Sequence, residues 1–220
     1  MDDPVRGRAG WRGGGAMTAS SPSQRWQPLP ASSLLEALAE DEDIEDVVAL
    51  SAAEIPESVR QLSIPTGWQL LELPDNPEPP LVRIAVQGSL GDGEWEAADT
   101  ISVFGYTGWP VFYDVFHNAD GVLRDLNATH VAVKALPMPA IQRAAALRAS
   151  GSATIRGRRV WIQQSTYVAG SERPHGSRLF VHSLFVDAAC RARLNGDVAQ
   201  LSEAVHHGLI AALVGGDGGS

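Results

Sequence analysis

The stretch from Arg159 to Asp187 constrains this chain more than any other. Over residues 160–168 two sets alternate: Val160, Ile162, Gln164, Thr166 and Val168 on one parity, and Trp161, Gln163, Ser165 and Tyr167 on the other. β-Branched and aromatic residues at period two specify a strand. Gly170, Ser171, Pro174 and Gly176 then interrupt the run, as loop residues do. Residues 179–186 are apolar on both parities, the pattern of an interior strand covered on both sides. Such a hairpin needs something packed on each face, and the rest of the chain must supply it. His182 lies within the second strand, with no acid or nucleophile at a telling spacing, so it reads as a structural histidine.

Taken in order, residues 1–30 are rich in Gly, Ser, Pro and Arg and read as a disordered tail. Residues 31–57 read as an acidic segment with a short helix at 34–40, capped by Ser32 or Ser33. Residues 58–214 read as one folded domain of about 155 residues, a common domain size, and 215–220 as a flexible tail. Within the domain, residues 59–73 predict strand, a Pro65-Thr66-Gly67 turn, and strand. Val82, Ile84 and Val86 alternate with Arg83, Ala85 and Gln87 in a half-buried strand, Gly91-Asp92-Gly93 turns, and 99–106 is another strand. Phe112, Val115, Phe116, Ala119, Val122 and Leu123 fit the buried face of one helix over 110–126, with Pro110 in its first turn and Gly121 as its weak point. A short extended piece at 130–136 precedes a strand of small residues ending at 155, which turns at 156–158 into the hairpin. A last helix over 197–213 buries Val198, Leu201, Val205, Leu209 and Ala212. This order predicts an α+β fold: a twisted, mainly antiparallel sheet flanked by helices.

Charge and chemistry exclude several function classes. The formal charge is −9, and residues 36–60 hold nine acidic side chains against Arg60 alone. Outside that segment the chain is near neutral, so there is no basic footprint for nucleic acid. The acidic run reads as a solvated segment or a docking peptide for a basic partner. No run reaches the ~18 apolar residues of a membrane span, and the first fifteen residues lack a signal-peptide apolar core. No lipobox cysteine is visible; the expected location is cytoplasmic. Cys190 is the sole cysteine, so neither an intrachain disulfide nor a cysteine metal cluster can form. A Gly-x-Ser-x-Gly elbow, a phosphate-binding glycine loop and an H-E-x-x-H pair are all absent from the sequence. His206 and His207 are adjacent on a helix and diverge by about 100°. The expectation is no catalytic residue, no cofactor and no metal.

Leu62-Ser63-Ile64-Pro65-Thr66-Gly67-Trp68, the Thr107-Gly108 step before the first helix, and three strands before a terminal amphipathic helix together resemble the LpqN/LpqT-type proteins of actinobacteria, within the wider PsbP-like superfamily. The resemblance covers about residues 58–214. It implies a PsbP-like sheet with helices on its faces and a non-enzymatic role as adaptor, chaperone-like module or partner-binding subunit. LpqN-type proteins are typically lipoproteins, and the missing lipobox is a departure that points to a cytoplasmic relative. Trp161, Gln163, Ser165 and Tyr167, joined by Thr100, Ser102 and Tyr106 if the strands share a layer, form either the candidate partner-binding face or a face that another helix simply covers. Aromatic rings supply contact area there, and amide and hydroxyl groups supply adaptable hydrogen bonds. The rival expectation is a ligand carrier or enzyme with a cleft between sheet and helix and His182 beside an acid.

Overall fold

The computed structural model describes residues 32–51, 53–55, 57–73, 80–89, 94–109, 112–139, 144–171 and 173–216. In chain order the elements are α1 (Ser32–Ala39), β1 (Ile44–Ala49), α2 (Glu57–Arg60), β2 (Trp68–Leu70), β3 (Arg83–Gln87) and β4 (Ala97–Gly108). There follow α3 (Phe112–Asn118), α4 (Gly121–Asp125), β5 (Thr129–Ala135), β6 (Ala144–Ile155), β7 (Arg158–Ala169), β8 (Ser177–Asp187) and α5 (Asn195–Gly216). The eight strands form one sheet, seven of them in the order β2-β3-β4-β8-β7-β6-β5 with β1 paired to β4 beside that path, and every pairing is antiparallel. β1 and β3 share one side of β4: β3 pairs with its first half and β1 with its last residues.

The hairpin of β7 and β8 is central, as its apolar content requires. β7 and β6 are joined by a two-residue turn, Arg156-Gly157, with both residues at positive φ. That is the geometry which matches the twist of the flanking strands. Gly108 marks a second tight place. Its φ is +110°, and a Cβ there would sit 1.9 Å from the Asp43 carbonyl oxygen, so only glycine lets β1 close on β4.

Alternation divides the sheet into two faces. On one, α1 and α3 cover Phe104, Tyr106, Leu179 and Val181, and α4 places Leu123 against Ala149, Ala153 and Ile162. On the other, α5 lays Leu194, Val198 and Leu201 over Trp68, Ala85, Leu184 and Val186. Val205 and Leu209 continue the contact over Ile101, Val103, Tyr167 and Phe180, joined by Ile55 and Val59 of α2 and its approach.

Three sequence expectations need correction. The acidic segment is not separate from the domain. Leu34, Leu38 and Ile44 are core residues and residues 44–49 are a sheet strand, so the folded body extends well before residue 58. Its carboxylates lie on the outside while a sparse set of apolar residues holds it down. Residues 59–62 are not a strand: α2 ends at Arg60, and extended pairing begins only at Trp68, after the turn closed by Trp68 N–H donating to the Pro65 carbonyl (3.2 Å). The helix over 110–126 is two helices broken at Ala119-Asp120, next to the weak Gly121. The break leaves Phe116, expected on the buried face, 45% exposed. The turn at 91–93 and the tail at 1–30 lie outside the described residues, as do 217–220, whereas Gly215 and Gly216, expected in the tail, still belong to α5.

Candidate functional site

The six expected partner-binding residues do not share a layer. Ser102 stands opposite Val181, which stands opposite Thr166; Ser165 stands opposite His182, which stands opposite Ile101. Ser102 and Tyr106 therefore face α1 and α3, while Trp161, Gln163, Ser165 and Tyr167 face α5. The register through β8, the strand between β4 and β7, pairs odd positions of β4 with odd positions of β7, which no single-strand pattern reveals. Nor is either set open. Ser102, Tyr106, Gln163, Ser165 and Tyr167 are buried. Gln163 Nε2 donates to Ser202 Oγ on α5 (2.7 Å), and the Tyr167 ring lies 5.8 Å from that of His206. Trp161, half-buried, packs with Leu194 and Val198, and the Arg191 guanidinium caps its ring at 3.9 Å. Burial pushes the Tyr167 hydroxyl up to about 12 and the Tyr106 hydroxyl up as well. Of the two readings of this face, open for a partner or covered by a helix, the second holds: helices cover both sets of residues.

What α5 covers is a charged row. Cross-strand register sets Arg83 opposite Ile101, Ile101 opposite His182, His182 opposite Ser165, Ser165 opposite Arg148 and Arg148 opposite Lys134. Asp99, two residues before Ile101, points to the same side. Asp99 is 0% exposed and His182 1%. Asp99 Oδ2 lies 3.3 Å from Arg83 Nη2, and Asp99 Oδ1 lies 2.5 Å from His182 Nε2. With Asp99 as the carboxylate, His182 Nε2 is the donor. Arg83 Nη1 also donates to the Leu62 carbonyl (3.2 Å), which ties the Ile-Pro-Thr-Gly-Trp approach to the row. At the other end Arg148 Nε donates to Ser165 Oγ (2.9 Å). Buried charges persist when they are paired and hydrogen-bonded in this way.

Sequence reasoning missed the acid beside His182 because Asp99 is 83 residues away. The one signal was a carboxylate inside a strand pattern. The constellation has a histidine, an acid and a facing serine, yet it is sealed. Arg83 Nε, Asp99 Oδ2 and His182 Nδ1 are buried without hydrogen-bond partners, and Ser165 is 0% exposed. Its evident work is electrostatic: one carboxylate holds an arginine and a histidine from three adjacent strands in register.

Two clefts flank the helical cover. One, of about 280 Å³, is lined by Ile55, Val59, Leu70 and Leu73 with Arg83 at its wall. The other, of about 530 Å³, lies between α5 and the segment after β5. Its polar lining is Arg148, Ser202, Glu203, His206 and His207. Neither is lined by His182 or Asp99. Burial, then His207 and Arg148 nearby, holds His206 below the ordinary histidine range. Among the described residues no group of three or more His, Cys, Asp or Glu side chains is placed to hold a metal. No described helix is long and apolar enough to cross a membrane.

No protein-family model matches the sequence, and no curated protein matches it either. Solved structures do. LpqN of Mycobacterium tuberculosis, a protein involved in cell envelope biogenesis, aligns with a TM-score of 0.57 at 16% identity, over 76% of this chain and 91% of its own. A Pseudomonas aeruginosa protein of unknown function aligns over 66% of this chain and 83% of its own at 16% identity, with a TM-score of 0.35 that carries no argument. At such identity the likeness is one of architecture alone: an α+β fold with an antiparallel eight-stranded sheet, and that fold is LpqN-like.

Proposed function

We propose that this chain is a non-enzymatic protein-binding module, of the adaptor or chaperone-like kind, that docks a partner on the edge of its sheet. The observation that carries this reading is β5. It is the last strand of the sheet, all seven of its residues are exposed, and Val131 and Val133 are 38% and 47% exposed. An edge strand offers unpaired backbone donors and acceptors to an added strand, with side-chain contacts giving selectivity. A register shift between Thr129 and Ala132, with His130 at positive φ, twists the start of β5 away. The regular part, Ala132–Ala135, is the docking segment. The acidic segment around β1, at the other side of the sheet, adds electrostatic steering toward a basic partner. A PsbP-like ancestry and a cytoplasmic setting belong to the same reading, supported by the resemblance given above and the lack of a membrane-spanning helix among the described residues. The rival with a cleft at His182 has its acid but lacks its opening.

The test uses immobilised wild type and Val131→Lys/Val133→Lys, both checked for folding by circular dichroism. A partner captured by the wild type is then added to the free protein, and amide hydrogen exchange is followed. New protection at Ala132–Ala135, with capture lost in the double variant, is the expected result. Equal capture by both proteins, or protection confined to α5 or to residues 36–57, would sink the edge-docking reading.

A further inference from the structure

The geometry points to a small-molecule site in the cleft between α5 and residues 136–139, built to take an organic monocarboxylate with a compact apolar body. It stands apart from the β5 edge reading and does not depend on it.

The residue that organises the cleft is Arg148. Its Nε donates to Ser165 Oγ, its guanidinium lies beside the Tyr167 hydroxyl, and none of the ion pairs among the described residues joins it to a carboxylate. Arg83, at the opposite end of the same row, has Asp99; Arg148 has nothing equivalent. Its cross-strand neighbour Lys134 carries the same sign. Lys134 is exposed and outside the cleft, so inside it Arg148 is the cationic group, half-buried on the sheet floor, while the carboxylate of the lining, Glu203, is exposed. An unpaired arginine held in such a place is a carboxylate receptor, since its planar fork matches the two oxygens.

The other lining residues narrow the class. Leu136, Pro137, Met138, Pro139 and Ile210 give one side of the cleft an apolar wall, which a bare inorganic anion leaves unused. Glu203 lines the same cleft and is exposed, so a doubly charged phosphate would meet a like charge that a monoanion meets only half as strongly. Ser202 Oγ already accepts from Gln163 Nε2, which leaves its own O–H for an acceptor on the ligand. The volume of about 530 Å³ falls within the range of small-ligand pockets, about 300–1,000 Å³.

The experiment is a titration of the ¹⁵N-labelled full chain with octanoate, acetate and inorganic phosphate, monitored by amide shifts. Saturable octanoate shifts that map to residues 136–139, 148 and 202–210 are expected, at least tenfold tighter than acetate or phosphate. Arg148→Gln should weaken octanoate tenfold or more. Because that substitution also removes a contact to Ser165, Ile210→Asp is the second variant: it leaves the arginine in place, spoils the apolar wall, and should weaken octanoate by a similar factor. Octanoate that fails to saturate, phosphate that matches octanoate, or affinity unchanged in both variants would each overturn the assignment.

Discussion

On the face under α1, α3 and α4 the buried polar residues are neutral: Thr100, Ser102, Gln164, Thr166 and Ser177. On the face under α5 they include Arg83, Asp99 and His182. The two faces belong to the same strands and differ by one residue of register, yet they meet burial by different means. A hydroxyl can turn to a nearby carbonyl, as Thr100 Oγ1 does in donating to Ser183 O (3.4 Å). A buried charge has no such freedom and needs a fixed partner. The covers differ accordingly. Three short helices, α1, α3 and α4, share the cover on one side, whereas a single 22-residue helix spans the charged row. The sharpest way to break this comparison is to remove the shared carboxylate. Asp99→Ala leaves Arg83 and His182 uncompensated and should cost about 3–5 kcal/mol. Thr100→Ala, one residue away on the other face, should cost about 0.5–1.5 kcal/mol. Urea denaturation of both decides it, and equal costs would mean that the row is not what secures the α5 face. Replacing Arg83, Asp99 and His182 together by apolar residues of similar size should recover much of the loss.

The next contrast is in packing. Leu123 and Leu201 are both 0% exposed, the first under α4 and the second under α5. Truncating a buried leucine costs about 2–5 kcal/mol, depending on how far the surroundings collapse into the cavity. A five-residue helix can settle inward, whereas one held along 22 residues cannot. Leu201→Ala should therefore fall near the top of that range and Leu123→Ala near the bottom, as read from denaturation midpoints at constant slope. The reverse order would show that α4 is the more rigid cover.

A smaller effect probes the one side chain-to-side chain hydrogen bond between β7 and α5 described above. Ser202→Ala strands the buried Gln163 amide and should cost about 1–3 kcal/mol. Gln163→Met/Ser202→Ala removes both partners and should recover most of it. A double variant no better than the single would mean that Gln163 has found another acceptor.

Much of the sheet was legible in the sequence because its signals are local. The alternation at 160–168 and the apolar run at 179–186 each specify a strand without knowledge of a neighbour. The last helix was equally plain, since Val198, Leu201, Val205 and Leu209 recur at helical spacing. What was not legible is non-local. Whether Ser102 and Ser165 share a face depends on an intervening strand, β8, whose offset no pattern within β4 or β7 encodes. The same holds for Asp99 and His182, which meet only once β4 and β8 pair. β1 was lost for a different reason. It begins inside the run of carboxylates at 40–46, and of its own six residues only Ile44 is buried, so the composition of a solvated segment hides a strand held mainly by backbone pairing to β4.

The smallest predicted effect is a pH dependence confined to the α5 side. His206 is held below its ordinary value of 6.5 by burial and by the neighbouring His207 and Arg148. A histidine with a depressed folded-state pKa binds its proton more readily when the chain is unfolded. Stability is therefore full above 6.5 and is lost as the pH falls through the lower folded value. The carboxylates with lowered pKa, Asp187 beside Arg158 and Glu54 beside Ser51, act in a separate and more acidic window, below their ordinary values of 3.8 and 4.5. Between pH 7.5 and 5.5 the wild type should thus lose a measurable part of its thermal stability, and His206→Gln should lose less of it over the same interval. The partial exposure of His206 keeps the effect small, so the difference between the two melting-temperature profiles is the quantity to read. If the profiles run parallel, the proton taken up on unfolding in this range belongs to another group, and the cleft beside Arg148 is not electrostatically strained at neutral pH.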